Sequence, residues 1–320
     1  MKKIGIIGAG KIVPYHIDAL RESGFSISAI SATPGSKHAQ MLAREYKIPR
    51  VFNDTLQLVH SDIDAILIAV SQESLLSVLE QALPSNKKIL IEKPVFVGTN
   101  QFVMNHRFID NVMVAYNRRF YSTVEILQNR ISNSQFGSFY FYIPELSSSP
   151  NPTEKNILNT LRGNTVHYLD LISFIFKSKM PRLQVLDTGS VFQHFSKFVF
   201  IDCGSIKGIL HITFGSPGNY RLEFHNGSIL SLLSPMETYR EFDSMMVQEP
   251  DDTNPIRRYS PVNSVSNFSL ISEDIQFKPG FLGQSREFYN FVNGQALVKG
   301  ATLNDASKVA NLSELISNSL

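Results

Sequence analysis

The run Lys2-Lys3-Ile4-Gly5-Ile6-Ile7-Gly8-Ala9-Gly10-Lys11-Ile12-Val13 constrains this chain more than any other stretch. A short apolar run leads straight into Gly-Ala-Gly, and apolar residues continue at helical spacing through Ile12, Ile17 and Leu20. This order predicts a strand, a tight turn and a helix start. In that arrangement backbone N–H groups at the helix N-terminus can hold a pyrophosphate. Gly8 is expected to make the turn and Gly10 to let the backbone approach phosphate oxygens, with Lys11 and Ile12 completing the loop. The third position of the fingerprint is Val13 rather than Gly or Ala, so an ordinary strand-to-helix turn is the competing reading of these residues alone.

The rest of the first third alternates strand and helix patterns. Strands are predicted at Ile27–Ile30, Asp64–Val70, Lys88–Glu92 and Val112–Tyr116, and helices at Ser36–Tyr46 and Leu75–Leu83. The near-continuous apolar runs are typical of strands buried on both faces. This βαβ alternation predicts a parallel, doubly wound Rossmann sheet over residues 1–120 with right-handed crossovers.

After about Tyr121 the character changes. A helix at Val124–Ile131 and an aromatic strand at Gly137–Ile143 lead to a Ser/Pro-rich loop at Pro144–Pro152 and a helix at Thr165–Phe176. Strand-like runs follow at Leu183–Leu186, Lys197–Ile201, Gly208–Phe214, Arg221–His225 and Ser228–Leu233. Asn226-Gly227 between the last two is a type I′ hairpin signal. Residues 121–320 are therefore expected to form an α+β substrate-binding and oligomerisation domain with a mainly antiparallel sheet. Ser244–Phe268 reads as a polar mobile loop, and two closing helices, Gln284–Val292 and Leu303–Ile316, are expected to pack back on the first domain.

Composition excludes several classes. A net charge of +2 offers no electrostatic case for nucleic acid or an anionic membrane surface. The N-terminal apolar run is too short for a signal peptide, and no run reaches the ~18 apolar residues of a membrane span. The single cysteine, Cys203, cannot form an intramolecular disulfide and reads as a buried small apolar residue at a strand end. A cytoplasmic location is expected. His194, His211 and His225 stand at no metal-ligand spacing, so no metal site is expected.

Glu92-Lys93-Pro94 falls at the C-terminal end of a buried parallel strand, the edge where ligands collect in open α/β sheets. A lysine there can exchange a proton with a substrate hydroxyl if partial burial lowers its pKa. Glu92 would orient it or offset its charge, and Lys93-Pro94 is a candidate cis bond. The competing reading is a surface lysine at a strand end.

Glu92-Lys93-Pro94 after the fifth strand and Tyr116-Asn117-Arg118-Arg119-Phe120 after the sixth together resemble the glucose–fructose oxidoreductase/inositol dehydrogenase family, Gfo/Idh/MocA. The resemblance continues in order through Val166-His167-Tyr168-Leu169-Asp170-Leu171, Asn226-Gly227-Ser228-Ile229-Leu230, Gly280 to Phe288 and Ala301 to Ala306. It implies an NAD(P)-dependent enzyme that moves a hydride between nicotinamide and a secondary alcohol carbon of a sugar, polyol or nucleotide-sugar. It further implies that Lys93 acts on or binds the reacting hydroxyl, and that His167 is the partner acid/base or a hydroxyl ligand. A homo-oligomer, dimer or tetramer, is expected to cover the open sheet face.

Three departures from the family pattern stand out. Gly163 occupies the place of a common aspartate one turn before the histidine, with Asn164 beside it as a candidate hydroxyl ligand. Ala69-Val70-Ser71-Gln72 replaces a usual Thr-Pro-Asn beside the cofactor, and Leu75 a common histidine. Ile30-Ser31-Ala32-Thr33 lacks the acidic residue that binds both ribose hydroxyls of NAD, and Ser31, Thr33, Ser36 and Lys37 are expected to receive a 2′-phosphate, favouring NADP over NAD. Tyr116, Arg118 and Asp170 complete the expected substrate wall. One of Arg118 and Arg119 is expected to grip an acidic or phosphorylated substrate, and the other to form a structural ion pair. Asp170 orients His167 or pairs with a basic side chain. His16 faces the cofactor or the core, and Glu287 is a helix N-terminal charge. Substrate choice is expected to lie in Pro144–Asn159, a loop placed to fold over the substrate, and in Ser244–Phe268. The alternatives are a catalytically weak NAD(P)- or metabolite-binding sensor or assembly protein of the same fold, and a glycoside hydrolase using transient NAD oxidation.

Overall fold

A computed structural model describes residues 1–96, 106–146, 153–176, 182–187, 196–264, 268–269 and 275–317. They form two compact units: Met1–Tyr121 with Arg162–Asp170 and Ser272–Leu315, and Ser122–Leu161 with Leu171–Ile271 and Ile316–Leu320.

In the first unit, strands β1 (Lys2–Ile7), β2 (Phe25–Ser31), β3 (Val51–Phe52), β4 (Ala65–Ile68), β5 (Lys88–Ile91) and β6 (Val112–Val114) make a parallel sheet in the order β3-β2-β1-β4-β5-β6. Every residue of β4 is fully buried, as expected for a strand covered on both faces. Helices α1 (Val13–Glu22), α2 (Lys37–Glu45), α3 (Thr55–Val59) and α4 (Gln72–Ala82) connect the strands. Pro14 lies in the first turn of α1, where a missing N–H costs nothing, and Val13, Ile17 and Leu20 face the core. Ser36 caps α2 by accepting the Ala39 N–H at 3.3 Å. The short β3 and α3 carry too few residues for a periodic signal, and the sequence reading does not contain them.

Two later helices belong to the described structure of this unit: α8 (Phe281–Val292) and α9 (Leu303–Ser317), the former packing on α1. Phe288 stacks on Phe25 with centroids 5.7 Å apart inside the same core. The α8 start requires Gly280. Its φ is +76°, and a Cβ there would stand 2.1 Å from the Asn117 carbonyl oxygen. Glu287 is not a free helix-end charge, as the sequence suggested. It accepts the backbone N–H groups of Val298, Lys299 and Gly300 at 2.8, 2.8 and 2.5 Å, fixing the turn before α9.

The second unit carries helices α5 (Ser122–Ser132), α6 (Glu154–Thr160) and the end of α7 (Val166–Ile175). Among the described residues its sheet has nine strands: β7 (Gly137–Glu145), β8 (Arg182–Asp187), β9 (Ser196–Cys203), β10 (Ile206–Phe214), β11 (Arg221–His225), β12 (Leu230–Leu233), β13 (Thr238–Gln248), β14 (Arg258–Asn263) and β15 (Phe268–Ser269). It is antiparallel except where β10 runs parallel to β7. Phe139, Phe141 and Ile143 of β7 are buried, alternating with the half-buried Tyr140 and Tyr142. Arg130 chelates the buried Glu241 through contacts of 2.9 and 2.7 Å, tying α5 to β13.

Several local expectations are corrected here. Residues 244–264 are not a mobile loop, because β13 and β14 pair from Phe242–Asn263 to Gln248–Arg258. Pro261 hid the strand, yet β14 is the edge of the sheet, where a proline is tolerated. Pro144 lies within β7, and Glu154–Thr160 is a capped helix, so only 147–152 of the expected Pro144–Asn159 loop fall outside the described residues. The Asn226-Gly227 hairpin exists, but the left-handed residue is Gly227 (φ +89°), first of the two central residues, and the Asn226 N–H donates across the turn to Ile229 O at 3.2 Å. This matches a type II′ turn, not type I′. Cys203 is half-buried rather than buried.

Candidate functional site

In the order β3-β2-β1-β4-β5-β6 the direction of winding reverses between β1 and β4, which places a ligand crevice outside their carboxyl ends. Gly8 follows β1 with φ +111°, and a Cβ there would lie 2.1 Å from the Ala69 carbonyl oxygen that follows β4. The Gly8 N–H donates to Ser31 O at 2.8 Å and the Ala69 N–H to Ile7 O at 2.8 Å. The two strand ends are thereby locked together. Gly10 is exposed, and a Cβ added to it would meet nothing within 4 Å, so the backbone of the turn faces open space. Val13 N–H donates to Gly10 O at 3.0 Å to close the turn, and Val13 packs inward where the fingerprint asks for a small residue. Lys11 is exposed and Ile12 rests half-buried on the core. This turn has the shape and open approach a dinucleotide pyrophosphate needs. Gly8→Ala is expected to destabilise the domain by about 2 kcal/mol or more, since it combines a left-handed φ with a backbone clash. NADH titration should lose its saturable signal in the same variant.

Beyond β2 the expected phosphate cradle is only partly available. Thr33 and Lys37 are exposed, but Ser31 is 1% exposed and its hydroxyl is buried without a partner. Ser36 is occupied in capping α2. Ser31 is the last residue of β2, a strand buried on both faces from Ile27 onward, so its side chain is enclosed by the layer that covers the sheet.

At the end of β5, Glu92, Lys93 and Pro94 follow one another, and the Lys93–Pro94 bond is cis. Glu92 does not stand free beside the lysine. Its carboxylate lies 2.7 Å from Nε2 of His16, which is fully buried in α1, and accepts the Lys93 backbone N–H at 3.2 Å. Burial works to raise the Glu92 pKa, but the His16 hydrogen bond and the charges of His16 and Lys93 outweigh it, so the group is held ionised below its ordinary range. His16 thus serves the core side of the site.

The Lys93 ammonium donates to the Gly163 carbonyl at 2.8 Å. Residues Leu161–Thr165 form one π-helical turn between α6 and α7, a feature frequent at functional positions. The turn carries Gly163 and the half-buried Asn164, and His167 follows in the first turn of α7. His167 is 9% exposed, its Nδ1 has no partner, and the Tyr116 ring stands edge-on with centroids 6.0 Å apart. Burial first, then the positive charges of Lys93, Arg118 and Lys278, hold the His167 pKa well below 6.5. The imidazole is neutral at pH 7 and can accept a proton. Tyr116, fully buried near Asp170, has its phenol pushed well above 10 by burial and that carboxylate, and stays protonated.

Asp170 is not available to His167 or to a substrate. It forms a buried bidentate pair with Arg119 at 2.9 and 2.5 Å, and Arg119 also reaches Lys299 O at 3.2 Å and Asp305 at 3.5 Å. Arg119 is therefore the structural arginine. Arg118 lies half-buried with its guanidinium 4.0 Å over the Tyr168 ring. Lys278, which the sequence reading did not single out, is exposed, with Nζ 4.8 Å from the Tyr15 ring centroid. No motif marks it, because it reaches the site from the far end of the chain. His211 binds Tyr140 and Ser196 at 2.7 Å in the second unit. His194 lies outside the described residues.

A parallel six-stranded sheet in this order, with a glycine turn after β1 at the winding reversal, defines a dinucleotide-binding Rossmann domain. Residues 2–107 match the Gfo/Idh/MocA model, an oxidoreductase family with an NAD-binding Rossmann fold. No curated protein sequence matches the chain. Among solved structures it is similar to a dehydrogenase from Clostridium difficile (16% identity, TM-score 0.77, covering 100% of this chain and 99% of that one). It is also similar to UDP-N-acetylglucosamine 3-dehydrogenase from Acidithiobacillus ferrooxidans (14%, 0.72, 100% and 97%). A third is myo-inositol dehydrogenase from Lactobacillus casei in complex with NAD(H) and myo-inositol (16%, 0.70, 100% and 94%). At these identities the likeness shows the fold alone.

Proposed function

We propose that the protein is an NAD(P)-dependent oxidoreductase acting on a secondary alcohol or ketone of a sugar, polyol or nucleotide-sugar, with Lys93 and His167 as its catalytic residues. The observation that carries this reading is the contact of Lys93 Nζ with Gly163 O at 2.8 Å, which holds a lysine from the cofactor edge of the sheet beside the start of the helix bearing His167. The named structural neighbours, which include two sugar or polyol dehydrogenases, support the substrate class.

A nicotinamide cofactor, when bound, would supply the carbon that takes or gives the hydride. The chain's own groups manage the oxygen. The Lys93 ammonium stabilises negative charge as it develops on the alcohol oxygen. His167, neutral through burial and its cationic neighbours, takes the hydroxyl proton, and in the reduction direction gives it back. Tyr116 and Asn164 line the site, and Asn164 has an amide able to bind a second hydroxyl. The exposed Thr33 and Lys37 are the groups that would meet the 2′-phosphate of NADP.

The test is a titration with NADH and NADPH followed by nicotinamide emission, since the chain has no tryptophan. Saturable binding of either form is expected, and a preference for NADPH supports the Thr33/Lys37 contact. Failure of both to bind the folded, cofactor-free protein overturns the reading. A pH–rate profile gives a second check. With the His167 pKa depressed, oxidation should hold its rate from neutrality to well below pH 6.5 and fall only beyond. Lys278→Gln removes one of the cations acting on His167 and should move this acid limb to higher pH. Stability carries the same sign. The unfolded chain binds the His167 proton more readily, so the stabilising contribution present above 6.5 is lost as pH falls toward the folded pKa.

A further inference from the structure

Lys93 is held at both ends. Its ammonium donates to the Gly163 carbonyl at 2.8 Å, and its backbone N–H donates to Glu92 Oε2 at 3.2 Å. The other oxygen of that carboxylate, Oε1, lies 2.7 Å from Nε2 of His16. With one oxygen on each partner, the plane of the Glu92 carboxylate is fixed. An ionised carboxylate only accepts, so His16 Nε2 carries the proton in this contact. His16 itself has nowhere to go. Its ring is fully buried, with the Phe281 ring of α8 at 4.7 Å between centroids, and its helix is anchored in the core through Val13, Ile17 and Leu20.

Packing does not account for a histidine at this place. Nδ1 is buried with no partner among the described residues, and an unmet buried polar atom costs stability that an apolar side chain of similar size would avoid. What an apolar residue could not supply is the N–H on Glu92. We propose that His16 is a positioning residue for Lys93: it anchors the Glu92 carboxylate, which holds the Lys93 backbone so that the ammonium stays beside the turn leading into α7. The inference rests on the oxidoreductase reading for the work that Lys93 does. Such support matters because displacing a reacting group by about 1 Å can lose about 10²-fold in rate.

The experiment compares the parent with His16→Leu, which removes the donor and keeps an apolar side chain of similar size, and with His16→Gln, whose amide N–H has the reach to replace Nε2. The first readout is exchange of the Lys93 amide hydrogen, resolved by NMR, which needs no turnover. It is expected to quicken about tenfold or more in His16→Leu and to return toward the parent in His16→Gln, while the amides of β4 keep their protection. The second readout is oxidation of myo-inositol, D-glucose and UDP-N-acetylglucosamine with NAD⁺ and NADP⁺. His16→Leu should lower kcat by about 10- to 100-fold with KM and NADH affinity little changed, and His16→Gln should recover much of it. Added to Lys93→Met, His16→Leu should cause no further loss, because both act through one ammonium. Equal losses in the two backgrounds, an unchanged kcat, or a Lys93 amide that exchanges as in the parent overturns the inference. If His16→Leu does not fold, His16→Met, flexible and equally without a donor, takes its place in every comparison. If the parent oxidises none of the three alcohols, the amide exchange decides the inference by itself. If neither NADH nor NADPH binds the parent, the oxidoreductase reading falls, and the same exchange still shows whether His16 holds the Lys93 backbone.

Discussion

Replacing Lys93 with methionine is expected to slow hydride transfer by about 10²- to 10⁴-fold, the span that positioned acid–base and charge-stabilising groups supply. Methionine keeps most of the side-chain length and its packing next to Pro94, so the loss reports the ammonium rather than the shape. NADH should still bind saturably, because the turn through Gly8 and Gly10 is untouched. Two signatures separate a chemical role from a structural one. Turnover should fall much more than thermal stability, and the His167 limb of the pH profile should move to higher pH, because a neighbouring positive charge has gone. Lys93→Arg keeps a charge but carries a rigid fork, and should restore little of the rate. A protein that only binds a dinucleotide as a sensor would show no turnover in the parent and no difference between the three forms.

The second large effect concerns stability. Arg119→Met leaves Asp170 buried, close to Asp305 and without its bidentate partner. Burial already pushes the Asp170 carboxyl up, and the Arg119 charge and hydrogen bonds only partly offset that. Breaking one side of such a pair costs about 3–5 kcal/mol, because the remaining charge is desolvated with no compensation. The midpoint of urea unfolding should drop accordingly with little change in slope. The double variant Arg119→Met, Asp170→Leu removes both charges and should recover most of the loss. An Arg119→Met protein as stable as the parent would mean that the pair is solvated and contributes little.

Much of the first domain was legible because its signals are local. Buried parallel strands leave near-continuous apolar runs, as in Asp64–Val70 and Lys88–Glu92, and a glycine turn after the first of them admits few alternatives. One feature of the sheet of the second domain was not legible, and two short elements of the first were not. The pairing of β13 with β14 is exposed over Ser244–Gln248 and Arg258–Asn263, so no alternation of burial reveals it, and Pro261 argues against a strand until its edge position is known. The short β3 and α3 are fixed by their neighbours rather than by their own periodicity.

The sequence by itself determined the βαβ alternation and parallel, doubly wound sheet of the first domain, the turn at Gly8 and Gly10, and the lysine at the end of β5, since each follows from residue type and spacing along a few adjacent positions. Only the tertiary structure decided how the polar groups are shared out. Asp170 goes to Arg119, Glu92 to His16, Glu287 to a backbone turn, and Ser31 under the layer that covers the sheet, while Lys278 arrives beside His167 from the end of the chain. Partner choice among buried charges depends on which groups folding brings within a few ångströms and strips of water. A sequence shows which residues can pair, but only the packed fold sets which of them do.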